Sequence, residues 1–303
     1  MKYLLHGYFI DYSESNKNML AILCLLHELR VITKQQLEIL LNFDMSISER
    51  VLTNVLGNLY KKNLIGRKRY GTQMYYYLTK EGHQSIGGYY TLPKVPEYNL
   101  NHHLQINNYL IKGMKLAKDH PHLKRIISER RTVYETKDLN PKTKGRKFFV
   151  PDFIFRFRDK ENHEINWSFE IELTLKTRRR YREAIFPKYI RELRTRPESH
   201  LIYVTPSGAI QEELHAFKHI FFKRETEKDA SQQELFERLH IFSALEFEEG
   251  VKELLEKDPA INWRTVEREK IYPNGAVQSR LNLFEESTEN EEKPKVKFTP
   301  EVL

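Results

Sequence analysis

Apolar residues recur at intervals of three and four along the first part of the chain, and this spacing predicts three helices. The helices cover residues 16–30, 34–41 and 46–62. The second helix begins with a capping box, because Thr33 stands three residues before Gln36. Ser46 stands three residues before Glu49 and predicts the same kind of start for the third helix. The outer face of that third helix is polar and basic, with Arg50, Thr53, Asn54, Asn58, Lys61 and Lys62.

A pattern typical of β-strands replaces the helical spacing between residues 64 and 78. Two runs rich in β-formers flank Tyr70-Gly71-Thr72, and we therefore predict a β-hairpin. Its first run is basic, with Arg67, Lys68 and Arg69. Thr79 then caps a short helix. Three helices followed by a basic hairpin are the order of a winged helix-turn-helix domain, which we assign to residues 1–88.

The third helix and the hairpin carry the residue types that contact DNA in such a domain. Asn, Thr, Arg and Lys on the outer face of a helix hydrogen-bond base edges in the major groove, while a basic hairpin contacts phosphates or the minor groove. We therefore predict that both elements bind double-stranded DNA. A surface that is only solvated and a winged helix that docks a protein are the alternatives. The stretch Tyr77–Gly82 also resembles the end of the wing in MarR-type repressors.

Helical and strand patterns alternate in the second part of the chain, after a linker at residues 89–99 that contains two prolines. The predicted order α-β-β-β-α-β-α-β-α defines a mixed α/β domain over residues 100–258. The predicted helices cover residues 100–119, 178–196, 207–222 and 246–257, and the predicted strands cover residues 123–136, 148–157, 165–175, 201–204 and 239–242. The tail at residues 259–303 is rich in glutamate, and its composition predicts disorder beyond about residue 285.

The formal net charge of +8 over 303 residues hides an uneven distribution, because residues 1–226 carry +15 and residues 227–303 carry −7. A basic body attracts polyanions, and nucleic acid is the first candidate, although charge alone also serves solubility. The single cysteine, Cys24, cannot form an internal disulfide, which fits a reducing cytoplasm. No apolar run reaches the roughly 18 residues of a membrane span, so we expect a cytoplasmic protein without a membrane partner.

Acidic residues fall on the two predicted strands that form a hairpin in the second domain. The strand period of two places Glu170, Glu172, Thr174 and Lys176 on one face. A hairpin would bring Asp152 close to the two glutamates. Carboxylate oxygens of this kind suit Mg²⁺ or Mn²⁺, and such an ion polarises a phosphate and activates water. Exposed carboxylates without any chemistry are the alternative.

The element order and the acidic spacing resemble the core of PD-(D/E)xK nucleases. In that superfamily the Asp and the first Glu bind metal, and the residue two positions after the Glu is usually Lys. This chain has Glu172 there, as some members do, and Lys176 lies on the same face as a substitute. The resemblance implies a restriction-endonuclease-like domain with Asp152, Glu170 and Glu172 as metal ligands and Lys176 in catalysis. It leaves open whether the site cleaves DNA.

The densest basic stretch follows this acidic cluster directly, over residues 176–196. Its first helical turns carry Arg178, Arg179, Arg180 and Arg182. A basic helix beside carboxylates would hold a nucleic-acid backbone near the metal. The alternatives are that the arginines neutralise the acidic cluster, or that they are only solvated.

Several short motifs together resemble the replication-relaxation family of plasmid proteins, which includes relaxosome accessory proteins of the mobilisation C type. They are the winged helix, Asn101-His102-His103 with Asn107, Ser128-Glu129-Arg130, Val150-Pro151-Asp152, Phe169-Glu170-Ile171-Glu172 and Lys188-Tyr189. The resemblance implies DNA binding in plasmid replication, relaxation or mobilisation, as an accessory to a relaxase or a replication initiator. A metal-dependent DNA endonuclease and a winged-helix transcriptional repressor are the alternatives, and a homodimer is left open.

Overall fold

The computed structural model describes residues 1–88, 90–136, 149–196, 198–227 and 232–263. A three-stranded sheet and a five-stranded sheet are combined with helices, which confirms the predicted mixed α/β class. The segment at residues 137–148 and nearly all of the predicted tail lie outside the described residues. None of the helices in the described ranges is both long enough and apolar enough to cross a membrane.

The N-terminal elements surround a small antiparallel sheet with the strand order β1-β3-β2. They are α1 (Lys17–Leu29), β1 (Val31–Thr33), α2 (Lys34–Leu41), α3 (Glu49–Lys61), β2 (Ile65–Tyr70), β3 (Gln73–Leu78) and α4 (Lys80–Ser85). The predicted hairpin turns at Gly71, whose φ of +58° is a backbone conformation that favours glycine. The sequence pattern does not predict β1, because a strand of three residues is too short to show alternation.

The two predicted capping boxes have different outcomes. The hydroxyl of Thr33 accepts a hydrogen bond from the Gln36 amide at 3.2 Å, and the Thr33 amide donates to the Gln36 side chain at 3.1 Å, which confirms the first box. The helix start predicted at Ser46 is wrong. The chain is still non-helical at that residue, and Ser48 caps α3 by accepting a hydrogen bond from the Val51 amide at 3.4 Å.

The second sheet has the strand order β4-β5-β6-β7-β8. Its first two pairings are antiparallel and its last two are parallel. The elements in this part are α5 (Leu100–Ala117), β4 (Leu123–Ser128), α6 (Glu129–Glu135), β5 (Phe153–Arg158), β6 (Glu164–Ile171), α7 (Arg178–Arg180), a π-helical turn (Tyr181–Ile185), α8 (Phe186–Thr195), β7 (His200–Thr205), α9 (Gly208–Thr226), α10 (Gln232–Glu237), β8 (Leu239–Ser243) and α11 (Phe247–Lys257).

Two of these helices, α6 and α10, do not occur in the predicted order. The predicted strand at residues 123–136 is wrong beyond residue 128, where Ser128 caps α6 by accepting a hydrogen bond from the Arg131 amide at 3.2 Å. Val133 and Tyr134 favour a strand by residue type, but both side chains are exposed on the helix, so packing does not enforce that preference. The local cap therefore decides the structure of this segment.

The five-stranded sheet separates two hydrophobic cores. Phe155 and Phe169 pack on one face with residues of α1, α2, α3, α5 and α11. Leu201 and Tyr203 pack on the other face with residues of α8, α9 and α10. The first core thus contains residues from both sides of the linker at residues 89–99. Met1–Asn262 form one compact unit. The division into two domains at this linker stays a prediction.

Candidate functional site

The hairpin of β5 and β6 brings Asp152 and Glu170 side by side. Phe153 pairs with Phe169 in the antiparallel register, so the residues next to them, Asp152 and Glu170, lie opposite each other at the end of the strands. The Asp152 amide donates to the Phe169 carbonyl at 2.9 Å, and the Ile171 amide donates to the Asp152 carboxylate at 2.7 Å. We refer to Asp152 and Glu170 as the carboxylate pair.

Burial and neighbouring charges make the ionised form of Asp152 unfavourable. Burial raises the pKa of Asp152 to about 6, and the negative charges of Glu129 and Glu172 act in the same direction. The hydrogen bond from Ile171 and the nearby His102 oppose this rise. The pKa of Asp152 therefore lies well above that of an ordinary aspartate.

Glu170 is in the same electrostatic situation. Burial raises the pKa of Glu170 well above its ordinary value, and the charge of Asp152 adds to the effect. Lys188 and a hydrogen bond from Tyr189 partly offset it. Asp152 and Glu170 thus both resist ionisation, and a cation bound between them would favour the ionised form of each.

Glu172 has partners of its own. The Tyr203 hydroxyl donates to one of its carboxylate oxygens at 2.7 Å, and Lys176 forms an ion pair with the other. Lys176 also donates to the Thr174 hydroxyl at 3.2 Å. Glu172 is buried, and its charge is already balanced by a cation of the same chain. Glu172 thus lies near enough to act on Asp152 and Glu170, and Lys176 pairs with Glu172.

A different set of ligand atoms is grouped more closely. Among the described residues, the one group of three acidic or histidine side chains whose ligand atoms all lie within 4.8 Å is Asp159, Glu161 and His163. This group lies in the turn between β5 and β6, and hydrogen bonds from the His163 amide and ring to Asp159 account for its geometry. Asp152, Glu170 and Glu172 do not form such a group of three.

Several side chains lie beside the carboxylate pair although the sequence pattern does not predict them there. His102 on α5 lies 2.9 Å from the Ile171 carbonyl through its Nε2 atom. Lys188 and Tyr189 reach Glu170 from α8, and Tyr203 reaches Glu172 from β7. The motifs around His102 and Lys188 point to the family, but no spacing connects these residues with Glu170.

Glu129 contacts both Asp152 and the residue that follows α1. Its amide donates to the Asp152 carbonyl at 3.0 Å, and its carboxylate forms an ion pair with Arg30 at 2.8 Å. A short path of hydrogen bonds and charges thus connects the end of α1 with Asp152.

A polar and basic surface covers the outer side of α3 and of β2. Leu52, Leu56 and Leu59 face the core, so the opposite side of α3 is exposed. Arg67 on β2 lies with its guanidinium 4.4 Å from the centre of the Tyr60 ring, which joins the two elements. We call this the α3–β2 surface, and its predicted DNA contacts, all exposed, are Arg50, Thr53, Asn54, Asn58, Lys61, Lys62, Arg67, Lys68 and Arg69.

Besides Arg67, two of these predicted contacts have partners among the described residues, one in a hydrogen bond and one in an ion pair. The Thr53 hydroxyl donates to the Glu49 carbonyl at 2.8 Å, so it is occupied by its own helix. Lys68 forms an ion pair with Glu97. Both members of that pair are exposed, so water and salt screen it.

A family model described as replication-relaxation matches residues 23–191, which is more than half of the chain. The chain belongs to the replication-relaxation family. The matched range contains α3, the hairpin of β2 and β3, and the carboxylate pair. No curated protein and no solved structure matches the chain.

The basic helix of this replication-relaxation protein is partly neutralised by glutamates. Arg178 lies 3.5 Å from Glu213, and Arg179 and Arg182 lie 2.8 Å and 3.2 Å from Glu183. Arg180 is exposed. These four predicted DNA contacts therefore offer less free charge than their sequence indicates, because exposed ion pairs form at three of them.

Proposed function

We propose that this replication-relaxation protein binds double-stranded DNA and serves plasmid replication, relaxation or mobilisation as an accessory to a relaxase or a replication initiator. Family membership supports the plasmid setting. The α3–β2 surface carries the proposal, because it combines amide, hydroxyl and guanidinium groups on one exposed helix face with basic residues on an adjoining strand.

The order of the N-terminal elements supports a winged helix-turn-helix that presents α3 to the major groove. In that role Asn54 and Asn58 hydrogen-bond adenine edges and Arg50 hydrogen-bonds guanine, which are the pairings that these side chains favour. Arg67 and Arg69 on β2 contact phosphates or the minor groove beside the bound helix. Specificity then comes from α3, and much of the affinity comes from β2.

The experiment begins with selection of a preferred site from a random pool of DNA duplexes. Fluorescence anisotropy then compares the wild type with the Arg50→Ala/Asn54→Ala/Asn58→Ala variant on the selected site and on a scrambled duplex. We expect the variant to lose about 10-fold to 100-fold in affinity for the selected site, and much less for the scrambled one.

The matched control replaces two exposed lysines of α11, in Lys252→Ala/Lys257→Ala, because each forms an ion pair with a glutamate away from the α3–β2 surface. Its affinity should equal that of the wild type. An α3 variant that binds the selected site as tightly as the wild type would contradict the proposal. A selected site that occurs in the promoter of the protein's own gene, and not in a plasmid origin, would favour the transcriptional repressor.

A metal-dependent DNA endonuclease is the second candidate, and the carboxylate pair favours it. Asp152 and Glu170 offer the oxygen donors that Mg²⁺ or Mn²⁺ prefers, and a bound cation would offset the burial and the mutual repulsion that raise both pKa values. The order of the second sheet and the hairpin that carries the pair support a PD-(D/E)xK-like core. Glu172 fits this less well, because Lys176 already balances its charge.

A nicking assay separates the two candidates. Supercoiled plasmid is incubated with Mn²⁺ and with the wild type, Asp152→Ala, Glu170→Ala or Glu161→Ala, the last a control in the exposed turn. The accessory function predicts no nicking above background by any of them. Nicking that both Asp152→Ala and Glu170→Ala abolish, and that Glu161→Ala retains, would establish the endonuclease.

A further inference from the structure

A groove between α8 and the end of α9 concentrates positive charge at a place separate from the α3–β2 surface. We call it the arginine groove. Its volume is about 680 Å³. Arg182, Arg191, Arg194 and Arg224 line it, and the buried side chains of Ile190 and Phe221 contribute to its wall.

Two of the arginines that line the groove have no counterion among the described residues. Glu183 is the one acidic residue among the described residues that line it, and it already pairs with Arg179 and Arg182. In the described part of the chain, neither Arg191 nor Arg224 has a carboxylate within ion-pair distance. Guanidinium groups that are brought together repel each other, and a bound anion relieves this repulsion. Arg also donates two parallel hydrogen bonds to a phosphate, which Lys does not.

The arginine groove and the α3–β2 surface lie on opposite sides of the five-stranded sheet. The hydrophobic core that contains Leu52 and Leu56 of α3 covers one face of this sheet. Tyr189 and Leu193 of α8 belong to the core on the other face. A ligand in the groove would therefore be separated by the sheet from DNA on α3.

The arginine groove and the carboxylate pair involve different residues of α8. Lys188 and Tyr189 act on Glu170, whereas Arg191 and Arg194 line the groove. Arg191 and Arg194 are three residues apart, so they lie on one face of α8 and form one edge of the groove. The described lining of the groove thus contains neither member of the carboxylate pair.

We propose that the arginine groove binds the phosphodiester backbone of a second DNA segment, so that one chain holds two segments at once. The proposal rests on the proposed function, because the first segment is the one on the α3–β2 surface. Phosphates repeat along a strand and match several guanidinium groups without any base contact, so we expect binding in the groove to be independent of sequence.

A bridging assay tests the proposal with the full chain. A duplex with the selected site is fixed to beads, the protein is added, and capture of a fluorescent duplex without the site is measured. The wild type should capture the second duplex. The Arg191→Ala/Arg224→Ala variant should bind the fixed duplex within about twofold of the wild type but capture at least about tenfold less of the second one. Lys252→Ala/Lys257→Ala removes the same number of charges elsewhere and should capture as much as the wild type.

Two results would overturn the proposal. One is a wild type that captures no second duplex, and the other is a groove variant that captures as much as the wild type. Suppression of capture by polyglutamate as strongly as by unlabelled duplex at equal charge would assign the groove to an acidic protein, and would also overturn it.

A second titration keeps this test distinct from that of the proposed function. The Arg50→Ala/Asn54→Ala/Asn58→Ala variant is titrated with the duplex that lacks the site, with and without the two groove changes. Affinity falls as salt rises, so a plot of log affinity against log salt has a negative slope. We expect the groove changes to make this slope less steep by about 2, because two phosphate contacts are lost. An unchanged slope would contradict DNA binding in the arginine groove. Unimpaired binding of the selected site by the α3 variant would contradict the proposed function alone.

Discussion

The carboxyl group of Asp152 is subject to two opposing influences at the end of β5. The Ile171 amide donates to it at 2.7 Å and stabilises the ionised form. Burial acts more strongly in the other direction and raises its pKa to about 6. Because the folded pKa lies above the unfolded value, the folded state loses stability as the pH rises from about 4 to about 6, and the loss persists at higher pH.

The Asp152→Asn variant should remove this loss, since its side chain keeps an acceptor for the Ile171 amide but carries no charge. We expect the free energy of unfolding in EDTA to rise by about 1 to 3 kcal/mol at pH 7.5 and to change little at pH 4. Urea denaturation at the two pH values measures both. Asp119→Asn on an exposed loop is the control and should change neither value. A variant no more stable than the wild type at pH 7.5 would contradict the electrostatic account.

A second charged residue, Glu28, is compensated almost completely. Its carboxylate is fully buried, forms an ion pair with Arg131 at 2.5 Å, and accepts a hydrogen bond from the Ser128 hydroxyl at 2.5 Å. Removal of the charge leaves Arg131 buried without a counterion, which is far more costly than loss of an exposed pair. We expect Glu28→Gln to lower the free energy of unfolding by about 3 kcal/mol.

The pair of Glu129 with Arg30 provides the comparison, because both of its side chains are partly exposed. Glu129→Gln should cost less than about 1 kcal/mol in the same urea titration. Equal losses for Glu28→Gln and Glu129→Gln would show that burial does not set the strength of these pairs.

At the scale of elements, the start of α3 distinguishes two serines that lie two positions apart. Ser48 accepts a hydrogen bond from the Val51 amide at 3.4 Å, while Ser46 is exposed and precedes the helix. Ser48→Ala should therefore destabilise the protein by about 1 kcal/mol, and Ser46→Ala should have almost no effect. Thermal unfolding of the two variants measures the difference. A larger loss at Ser46 would instead support the capping box that the sequence predicts there.

Elements and site residues were predictable where the signal is local. The hairpin that places Asp152 opposite Glu170 follows from strand alternation around one turn, and the Thr33 cap follows from its spacing to Gln36. Tyr203 was not predictable as a partner of Glu172, because only the parallel pairing of β6 with β7 brings the two together. Sheet order depends on packing between distant segments, and no sequence period encodes it.

At the scale of the whole molecule, polar contacts join the N-terminal elements to α5 as well as the shared core does. The Asn107 side chain on α5 donates to the Val31 carbonyl on β1 at 2.7 Å. The Gln36 side chain on α2 donates to the Leu104 carbonyl on α5 at 2.9 Å. Since α5 also packs against the five-stranded sheet, we expect α1 and β6 to lose their structure together.

Hydrogen exchange measured by mass spectrometry tests this cooperativity in the full chain. Peptides from α1 and from β6 should report opening free energies that agree within about 1 kcal/mol. Asn107→Ala removes a buried hydrogen bond at the junction and should lower both values by a similar amount, about 1 to 2 kcal/mol. Two independent domains would behave differently, because α1 would lose protection while β6 kept it. A joint loss would mean that the DNA proposed to bind α3 also stabilises the carboxylate pair through the same core, since a ligand of one part of a cooperative unit stabilises all of it.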